Sequence, residues 1–274
     1  MKIISFGGGV QSTAMAILAA QGKIQADAFV FCDTGFEQSL VLDFLEKYTI
    51  PLLKISGLAF YIAKTQDVSP NYYADMKLPP FFLKNADGAV GRGSAYCSGK
   101  WKSDVFKRFC TEQFGEKNFD VMLGFSTDEK HRALNMAKKN ASKRVLTAFQ
   151  DDVFGDGIDL KQTLKTLSTK RKKWNYHFPL LELEMSRDDC QQLVAKTFGH
   201  TAPRSSCKFC PNHTQEEWAH VMGGNDREWL VNFDKSLRGK NWFLTSDCKP
   251  IDTIEFDQKN EIIFTRACSG GCFI

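Results

Sequence analysis

Near the start of the chain, three consecutive glycines precede two hydroxyl residues. Residues 7–13 read Gly-Gly-Gly-Val-Gln-Ser-Thr and stand between a short apolar segment and an alanine-rich stretch. Glycine lets a backbone approach a phosphate closely, and a helix N-terminus presents unpaired N–H groups and the positive end of its dipole. This segment therefore predicts an anion-binding loop, with a plain strand-to-helix turn as the alternative. The candidate ligands are Gly7, Gly8, Gly9, Gln11, Ser12 and Thr13.

The cysteines could do a second kind of chemistry. Cys207 and Cys210 have two residues between them, and thiolates at this spacing can ligate a metal ion or an iron–sulfur cluster, or form a redox pair. A reduced structural pair is the alternative. The sequence has no second Cys-x-x-Cys, so a metal site needs a further ligand. The candidates are Cys97, which we take as the third predicted ligand, Cys190, His200 and His213.

Five of the remaining cysteines form a C-terminal group and an internal group. Cys268 and Cys272 flank Ser-Gly-Gly near the end of the sequence, and a glycine-flanked thiol can carry a persulfide if its pKa is low enough. An inert tail is the alternative. Cys32, Cys110 and Cys190 lie in apolar or helical stretches and are predicted to be buried.

The elements that would position these groups alternate along the first half of the chain. Short apolar runs predict strands at residues 2–6, 26–32, 50–55 and 119–125, and helical spacing lies between them at residues 12–21, 39–48 and 98–114. Such alternation predicts right-handed βαβ units and a parallel sheet. Ligands of open parallel sheets bind beyond the carboxyl ends of the strands, where the glycine loop, Asp33 and Gly124 would lie. Residues 65–96 break the pattern and are predicted to be a loop near the site, acting as a lid.

The second part of the chain has a different character. Ser186 and Thr214 each begin a capping-box pattern, which predicts helices over residues 186–198 and 214–221, and a further helix is predicted over residues 226–236. A hairpin is predicted from residues 251–256 and 261–266. The chain is therefore predicted to have an α/β domain over residues 1–183 and a smaller, mainly helical lobe over residues 184–274.

Length, composition and charge limit the class of protein. The 274 residues can bury a full α/β core, and the net charge of +4 is mild. Basic residues crowd into residues 161–173, which is a solvated segment or a contact to nucleic acid. The apolar runs are too short to cross a bilayer and no secretion signal is present, so we expect a cytoplasmic protein.

The glycine loop resembles the motif of one nucleotide-binding superfamily. It lacks the Gly-Lys-Ser/Thr ending of a Walker A loop, and Ser12 stands where the dinucleotide-binding fingerprint needs glycine. Gly8, Gly9 and Ser12 match the PP-motif, Ser-Gly-Gly-x-x-Ser, of the ATP pyrophosphatases. Gly7 replaces the usual serine, and residues 10–11, Val-Gln, replace the frequent Lys-Asp.

Further segments resemble the phosphoadenylylsulfate (PAPS) reductase-like branch of the PP-loop superfamily. They occur in family order, and the resemblance covers roughly residues 1–220. The segments are Asp33-Thr34-Gly35, Cys97 to Lys102, Gly124 to Arg132 with Asp128 and Glu129, Phe178-Pro179-Leu180-Leu181, and Ser186-Arg187-Asp188-Asp189. The resemblance implies an adenine nucleotide alpha hydrolase-like, parallel-sheet core.

The resemblance also implies a ligand and roles for residues. ATP would lie across the sheet edge with its β,γ-phosphates at the glycine loop, and Mg²⁺ would balance the triphosphate charge. The implied nucleotide-binding residues are those of the glycine loop with Asp33, Thr34, Gly35, Gly124 and Asp128. The implied catalytic residues are Ser12, Lys100, Lys102, Arg132 and Cys268. Some relatives carry an iron–sulfur cluster, which Cys97, Cys207 and Cys210 would hold.

The expected function is an ATP pyrophosphatase that adenylylates a substrate oxygen for sulfur transfer. DNA phosphorothioation, with a cysteine desulfurase as sulfur donor and DNA as partner, is the expected setting, and tRNA thiolation is a sister hypothesis. One alternative is a PAPS or adenylylsulfate reductase, although the tail at Cys268 lacks the glutamate and histidine of that family's C-terminal motif. The other alternative is a nucleotide-binding sensor with weak catalysis.

Overall fold

The computed structural model describes residues 1–68, 80–93, 97–115, 117–140 and 173–256. Its strands are β1 (Lys2–Phe6), β2 (Ala28–Asp33), β3 (Ala59–Lys64), β4 (Phe82–Lys84), β5 (Val90–Arg92), β6 (Phe119–Met122), β7 (Trp174–His177) and β8 (Trp242–Phe243). Its α-helices are α1 (Val10–Ala20), α2 (Ser39–Phe44), α3 (Ile50–Ile55), α4 (Thr65–Val68), α5 (Val105–Phe114), α6 (Lys130–Asn140), α7 (Pro179–Glu182), α8 (Arg187–Phe198), α9 (Gln215–Gly223) and α10 (Arg227–Arg238).

The larger sheet has the order β3-β2-β1-β6-β7. The central strand β1 pairs in parallel with β2 on one side and with β6 on the other, and β6 pairs in parallel with β7. Ile3 and Ile4 of β1 are fully buried, as expected for a parallel sheet covered on both faces. The α/β fold class predicted from the alternating pattern is confirmed.

The third predicted strand was wrong. Residues 50–55 form α3, which continues from α2 through the π-helical segment Leu45–Thr49. A six-residue apolar run fits a buried strand or one face of a helix, and periodicity alone does not separate the two. Here only Leu53 of α3 is buried, and Ile55 is 87% exposed. The strand beside β2 on the side away from β1 is β3, which follows α3 in the chain.

Two further expectations about the connections need correction. Residues 80–93, placed in the predicted irregular segment, form the antiparallel pair β4–β5, with β8 on the other side of β4. Of the rest of the predicted lid, Thr65–Val68 forms α4, and residues 69–79 and 94–96 lie outside the described residues. The predicted strand over residues 251–256 is wrong, because Ile251–Thr253 is a 3₁₀ turn whose Ile251 is buried in an aromatic cluster. Its predicted partner strand lies outside the described residues.

The helices predicted in the second half of the chain are confirmed. Ser186 and Thr214 accept hydrogen bonds from the backbone N–H three residues later, and Asp189 and Glu217 reciprocate. Gly199 takes the left-handed conformation, φ 74°, that ends α8. Local side-chain capping explains why sequence alone located these helix starts.

The chain divides into two compact units, each made of several chain segments. Unit 1 comprises residues 1–31, 47–61 and 110–202, and unit 2 comprises residues 32–46, 62–109 and 203–274. The domain boundary at residue 183, expected from the sequence, stays a prediction. In unit 1, α1 packs against α8, and Phe6 makes edge-to-face contacts with Phe29 and Phe60.

Unit 2 has its own aromatic core. Phe81, Trp101 and Phe209 are buried there together with Leu230. Phe209 lies edge-to-face against Phe81 and Trp101, at centroid distances of 5.8 and 6.1 Å. In the part of the chain that the structure describes, no helix is both long and apolar enough to cross a membrane.

Candidate functional site

The glycine loop joins the end of β1 to the start of α1. Gly8 has φ 78°, a left-handed conformation that glycine adopts without strain. Ser12 Oγ accepts a hydrogen bond from the Gly9 N–H at 3.1 Å and donates one to the Gly9 carbonyl at 2.9 Å. The first turn of α1 carries no acidic residue. The predicted strand–loop–helix arrangement is therefore present, and it presents an eleven-residue helix N-terminus at the carboxyl end of the central strand.

Gly124, which follows β6, packs directly on the first turn of α1. A Cβ placed on Gly124 would lie 3.2 Å from Met15 Sδ and 3.3 Å from Gln11 Cβ. These separations are shorter than ordinary van der Waals contact, so glycine is the residue that fits without displacement. The structure thus brings Gly124 to the glycine loop, as the predicted sheet edge required.

A hydrogen-bonded network connects the glycine loop to the segment after β6. Gln11 Nε2 donates to Glu129 Oε2 at 2.8 Å, and Glu129 also pairs with Arg132. The Arg132 guanidinium lies over the Phe125 ring, 4.4 Å from its centroid. Glu129 is only 4% exposed, so its charge is compensated chiefly by Arg132. Arg132 is therefore near the loop but already engaged by a carboxylate.

Asp128 and Arg187 add a second connection on the same side of unit 1. Asp128 Oδ2 accepts a hydrogen bond from the Arg187 backbone N–H at 2.7 Å. The Arg187 side chain extends to the glycine loop, where Nη1 donates to Gln11 Oε1 at 3.3 Å. From the sequence, Arg187 was named only within the segment Ser186-Arg187-Asp188-Asp189 and was not predicted to be a site residue. The sequence carries no local signal for this contact, because Arg187 and Gln11 are 176 residues apart.

In unit 2, the Asp33-Thr34-Gly35 segment forms a tight turn. Asp33 Oδ1 accepts from the Gly35 N–H at 2.7 Å, and Gly35 has φ 75°. Thr34 Oγ1 donates to Glu37 Oε1 at 3.1 Å. The turn is thus closed by its own side chains, as Asx-type turns are.

The two lysines predicted to neutralise phosphate charge differ in environment. Lys102 is 7% exposed, and its ammonium lies 3.0 Å from Glu37 Oε1, while Glu37 Oε2 has no hydrogen-bond partner among the described residues. The charge of Glu37 keeps the pKa of Lys102 above its usual range despite burial, which alone would lower it. Lys100 is exposed and pairs with Asp104 one helical turn away. The phosphate-binding role of both lysines stays a prediction.

The Cys-x-x-Cys segment packs beside the same turn. Cys207 forms an isolated antiparallel bridge with Glu37, and its Sγ lies 3.7 Å from Thr34 Oγ1. Burial is the main cause that raises the pKa of the Cys207 thiol, and the charge of Glu37 raises it further. Burial also raises the pKa of Cys210 and of Cys97. The thiol form therefore predominates at neutral pH, and thiols are poor nucleophiles.

The three cysteines do not form a ligand set in this arrangement. Cys97 is close enough to Cys210 for its charge to raise the pKa of the Cys210 thiol. Even so, the described ranges contain no group of three His, Cys, Asp or Glu side chains placed to hold a metal ion. An iron–sulfur cluster or zinc ion does not fit these side chains as they stand, and we derive no step through one. The metal assignment to Cys97, Cys207 and Cys210 stays a prediction from spacing.

His213, which follows the cysteine pair, contacts Ser206, which precedes it. Its Nε2 lies 3.0 Å from Ser206 Oγ, which also accepts a hydrogen bond from Gln38 Nε2 at 2.7 Å. Burial lowers the pKa of His213 to about 3, and the nearby charge of Arg204 adds to the effect. His213 is therefore a neutral, buried residue at physiological pH. His200, the other histidine considered as a ligand, is exposed and lies against the Tyr48 ring.

Comparison with known proteins gives a distant structural likeness. No family model and no curated protein matches the chain. Among solved structures, the chain is similar to U34-tRNA thiolase NcsA from Methanococcus maripaludis, which was solved with its [4Fe-4S] cluster. The two are 16% identical, with 99% of this chain and 79% of that chain covered and a TM-score of 0.44. The α/β assignment rests on the sheet itself.

The structure brings together part of the predicted site within each unit. In unit 1, Gly124 and Arg132 lie with the glycine loop, and Asp128 is linked to it through Arg187. In unit 2, Thr34 lies with Lys102 and Cys207 around Glu37, which sequence reasoning did not assign to the site. Cys268 and residues 161–172 lie outside the described residues. Cys32, Cys110 and Cys190 are buried, as predicted.

Proposed function

We propose that the chain is an ATP pyrophosphatase of the PP-loop type. The observation that carries the proposal is the left-handed Gly8 followed by the N-terminus of α1, at the carboxyl end of the central parallel strand. Backbone N–H groups and the helix dipole at such a position favour a bound phosphate. Residues Gly9 to Thr13 and the nearby Gly124 would contact the phosphates of ATP.

The proposed reaction has two substitutions, the first at the α-phosphorus of ATP and the second at the activated atom of the acceptor. An oxygen of the acceptor attacks the α-phosphorus and pyrophosphate leaves, so that the acceptor becomes adenylylated. The terminal sulfur of a persulfide then attacks the activated atom of the acceptor and AMP leaves, and a thiol reductant cleaves the sulfur–sulfur bond that remains. Mg²⁺, which usually binds through one or two carboxylates together with phosphate oxygens, would supply charge compensation for ATP. The glycine loop would hold the departing pyrophosphate.

We infer that the acceptor is a nucleic acid, with DNA as the first candidate. The inference is supported by the basic character of residues 161–173 in the sequence. The sulfur would come from a cysteine desulfurase, because burial raises the pKa values of Cys207 and Cys210 and disfavours their thiolates. Cys268 is the candidate carrier within this chain, since it is flanked by small residues in the sequence.

Product analysis tests the proposed function. Purified protein with ATP and Mg²⁺ is incubated with DNA, with tRNA or without acceptor, and in each case with a cysteine desulfurase and cysteine. Release of AMP and pyrophosphate, stimulated by DNA, is the expected result, and stimulation by tRNA alone would move the proposal to tRNA thiolation. Formation of ADP and phosphate only would refute it. Sulfite produced from PAPS with thioredoxin would replace it by the reductase alternative.

A nucleotide-binding sensor is the second candidate. It is favoured by the charge-free glycine loop, in which Val10 is only 1% exposed and Gln11 is neutral. Weak charge compensation lowers the expected stabilisation of a transition state more than it lowers adenine binding. Tight ATP binding without turnover, in the presence of DNA and desulfurase, would support this candidate.

A further inference from the structure

The smaller sheet of unit 2 has one face on the aromatic core and one face turned away from it. Its order is β5-β4-β8, so β4 is the central strand. Leu83 of β4 lies opposite Trp242 of β8, and Trp242 packs against the aromatic cluster in which Phe81 is fully buried. Because side chains alternate along a strand, Phe82 lies on the opposite face. We call this the outer face of the smaller sheet.

A row of three side chains crosses the outer face. Phe82 on the central strand pairs with Arg92 of β5 on one side and with Phe243 of β8 on the other. Neighbouring strands are about 5 Å apart, so the two phenylalanines are adjacent. Both phenylalanines are half-buried, and Arg92 is exposed. The outer face therefore presents two aromatic rings beside a cation.

The Arg92 guanidinium is held beside the Phe82 ring. It lies 5.1 Å from the ring centroid, as expected for two side chains on the same face. Its Nε donates a hydrogen bond to the Pro80 carbonyl at 3.1 Å, and its Nη2 donates to Asn212 Oδ1. A flat group that stacks on Phe82 would therefore meet positive charge at the neighbouring position.

Further positive charge lies around this row. Lys84, two residues after Phe82 on the same face, is exposed. The segments that form the sheet and its ends, residues 80–93 and 239–249, contain more cations than carboxylates. The cations are Lys84, Arg92, Lys240 and Lys249, and the carboxylates are Asp87 and Asp247. Asp87 is engaged in its own turn, where Oδ1 accepts a hydrogen bond from the Ala89 N–H at 2.9 Å.

The composition of the outer face fits a nucleic acid better than an apolar protein surface. An antiparallel sheet with one face on the core usually has polar residues on the other, so adjacent phenylalanines there call for an explanation. An apolar partner would cover Arg92 without compensating its charge, which is unfavourable. A nucleotide has a flat base that stacks on an aromatic ring and a phosphate that pairs with a cation.

The same features favour a single strand over a duplex. Aromatic rings on a sheet stack on bases that are unpaired and accessible, whereas the bases of a duplex are stacked on one another. Phe82 and Phe243 offer two neighbouring ring positions for such bases. The phosphates of the same strand would then lie beside Arg92 and Lys84.

We propose that the outer face of the smaller sheet binds single-stranded nucleic acid, with Phe82 and Phe243 stacking on bases and Arg92 and Lys84 pairing with phosphates. The inference deepens the proposed function and rests on it for the role of the strand as the acceptor. It does not depend on the basic residues 161–173.

Fluorescence anisotropy with the full chain and no ATP tests the binding. The probe is a labelled oligothymidylate of about 12 nucleotides, within the range that one such surface occupies. We expect Phe82→Ala to weaken binding by about 5- to 150-fold, the range for one base stacked on an aromatic ring. Phe82→Tyr keeps the ring and should bind like the wild type. Ile55→Ala, which removes an apolar side chain that is 87% exposed, is the control and should also bind like the wild type.

Two further measurements separate stacking and charge from loss of folding. Phe82→Leu keeps apolar bulk in β4 without the flat ring, and it should lose affinity while its thermal midpoint stays near that of Phe82→Tyr. Lys84→Gln should make the dependence of binding on salt less steep by about 0.7 in the logarithmic slope, because one phosphate contact is lost. Lys54→Gln, at an exposed lysine of α3, should leave that slope unchanged.

The outcomes separate this inference from the proposed function. If the wild type binds the oligonucleotide and folded Phe82→Leu binds it equally well, the inference fails and the proposed function stands. Equal affinity for a duplex, or a dimer of the chain that Phe82→Leu dissociates, would also overturn the inference. Tighter binding of an oligouridylate with the same dependence on Phe82 would support it and make RNA the acceptor. Release of only ADP and phosphate, with Phe82-dependent binding intact, would refute the proposed function and leave the binding surface standing.

Discussion

Lys102 and Glu37 form a buried ion pair, with Lys102 Nζ 3.0 Å from Glu37 Oε1 and both side chains at most 8% exposed. Thr34 donates a further hydrogen bond to the same carboxylate oxygen. The pair therefore links the Asp33-Thr34-Gly35 turn to the π-helical segment Gly99–Asp104 within unit 2. Its position predicts that it fixes the conformation of the turn.

Breaking this pair should destabilise the protein strongly. We expect Glu37→Gln to reduce the free energy of unfolding by about 3–5 kcal/mol, because it removes the carboxylate that pairs with the buried Lys102 charge. The double variant Glu37→Leu with Lys102→Met should recover most of that loss, since neither charge remains. Urea unfolding of the three proteins measures both effects, and a double variant as unstable as Glu37→Gln would contradict the explanation.

Removing the Ser12 hydroxyl should weaken the start of α1. Ser12→Ala deletes both hydrogen bonds to the Gly9 backbone, and we expect a loss of about 1 kcal/mol in the free energy of unfolding. ATP turnover should fall as well, because the loop that would hold the phosphates loses its side-chain closure. Ser236→Ala, at an exposed helical serine, is the control and should keep full turnover. An unchanged rate in Ser12→Ala would remove the loop from the mechanism.

Adding a methyl group at Gly124 should displace the first turn of α1. Gly124→Ala places a Cβ 3.3 Å from Gln11 Cβ, and we expect a loss of about 1 kcal/mol in unfolding free energy together with weaker ATP binding. Gly223→Ala is the matched control, because a Cβ there meets nothing within 4 Å. Thermal unfolding and ATP titration check both variants. Equal ATP affinities of Gly124→Ala and the control would show that the close contact has no part in binding.

His213 should make stability depend on pH in mildly acidic solution. Its pKa is about 3 in the folded protein, below the ordinary value of 6.5, so the unfolded chain takes up a proton first as the pH falls. The free energy of unfolding therefore has its full value above pH 6.5. It falls between pH 6.5 and 3, by roughly 1.4 kcal/mol per pH unit. We expect His213→Gln, which keeps an amide near Ser206, to have a smaller slope over that window. Urea unfolding at pH 7, 5.5 and 4.5 compares the two proteins, and identical slopes would contradict this assignment.

Features that depend on neighbouring residues were predictable from the sequence. The glycine loop, the start of α8 at Ser186 and the start of α9 at Thr214 are each specified by hydrogen bonds or backbone freedom within four residues. Residues 50–55 show a case in which the local sequence did not decide the secondary structure. A short apolar run fits a strand or a helix, and the continuation of the helix from α2, with β3 beside β2, decided between them.

The sequence by itself determined that a glycine loop and a helix follow the first strand of a parallel α/β sheet, because strand, glycines and helix start are consecutive in the chain. Only the tertiary structure decided which distant side chains surround that loop. Arg187 reaches Gln11 across 176 residues, and Lys102 finds Glu37 across 65. Such partners are selected by the packing of α8 on α1 and by the burial of charges that must be compensated, and neither leaves a local pattern in the sequence.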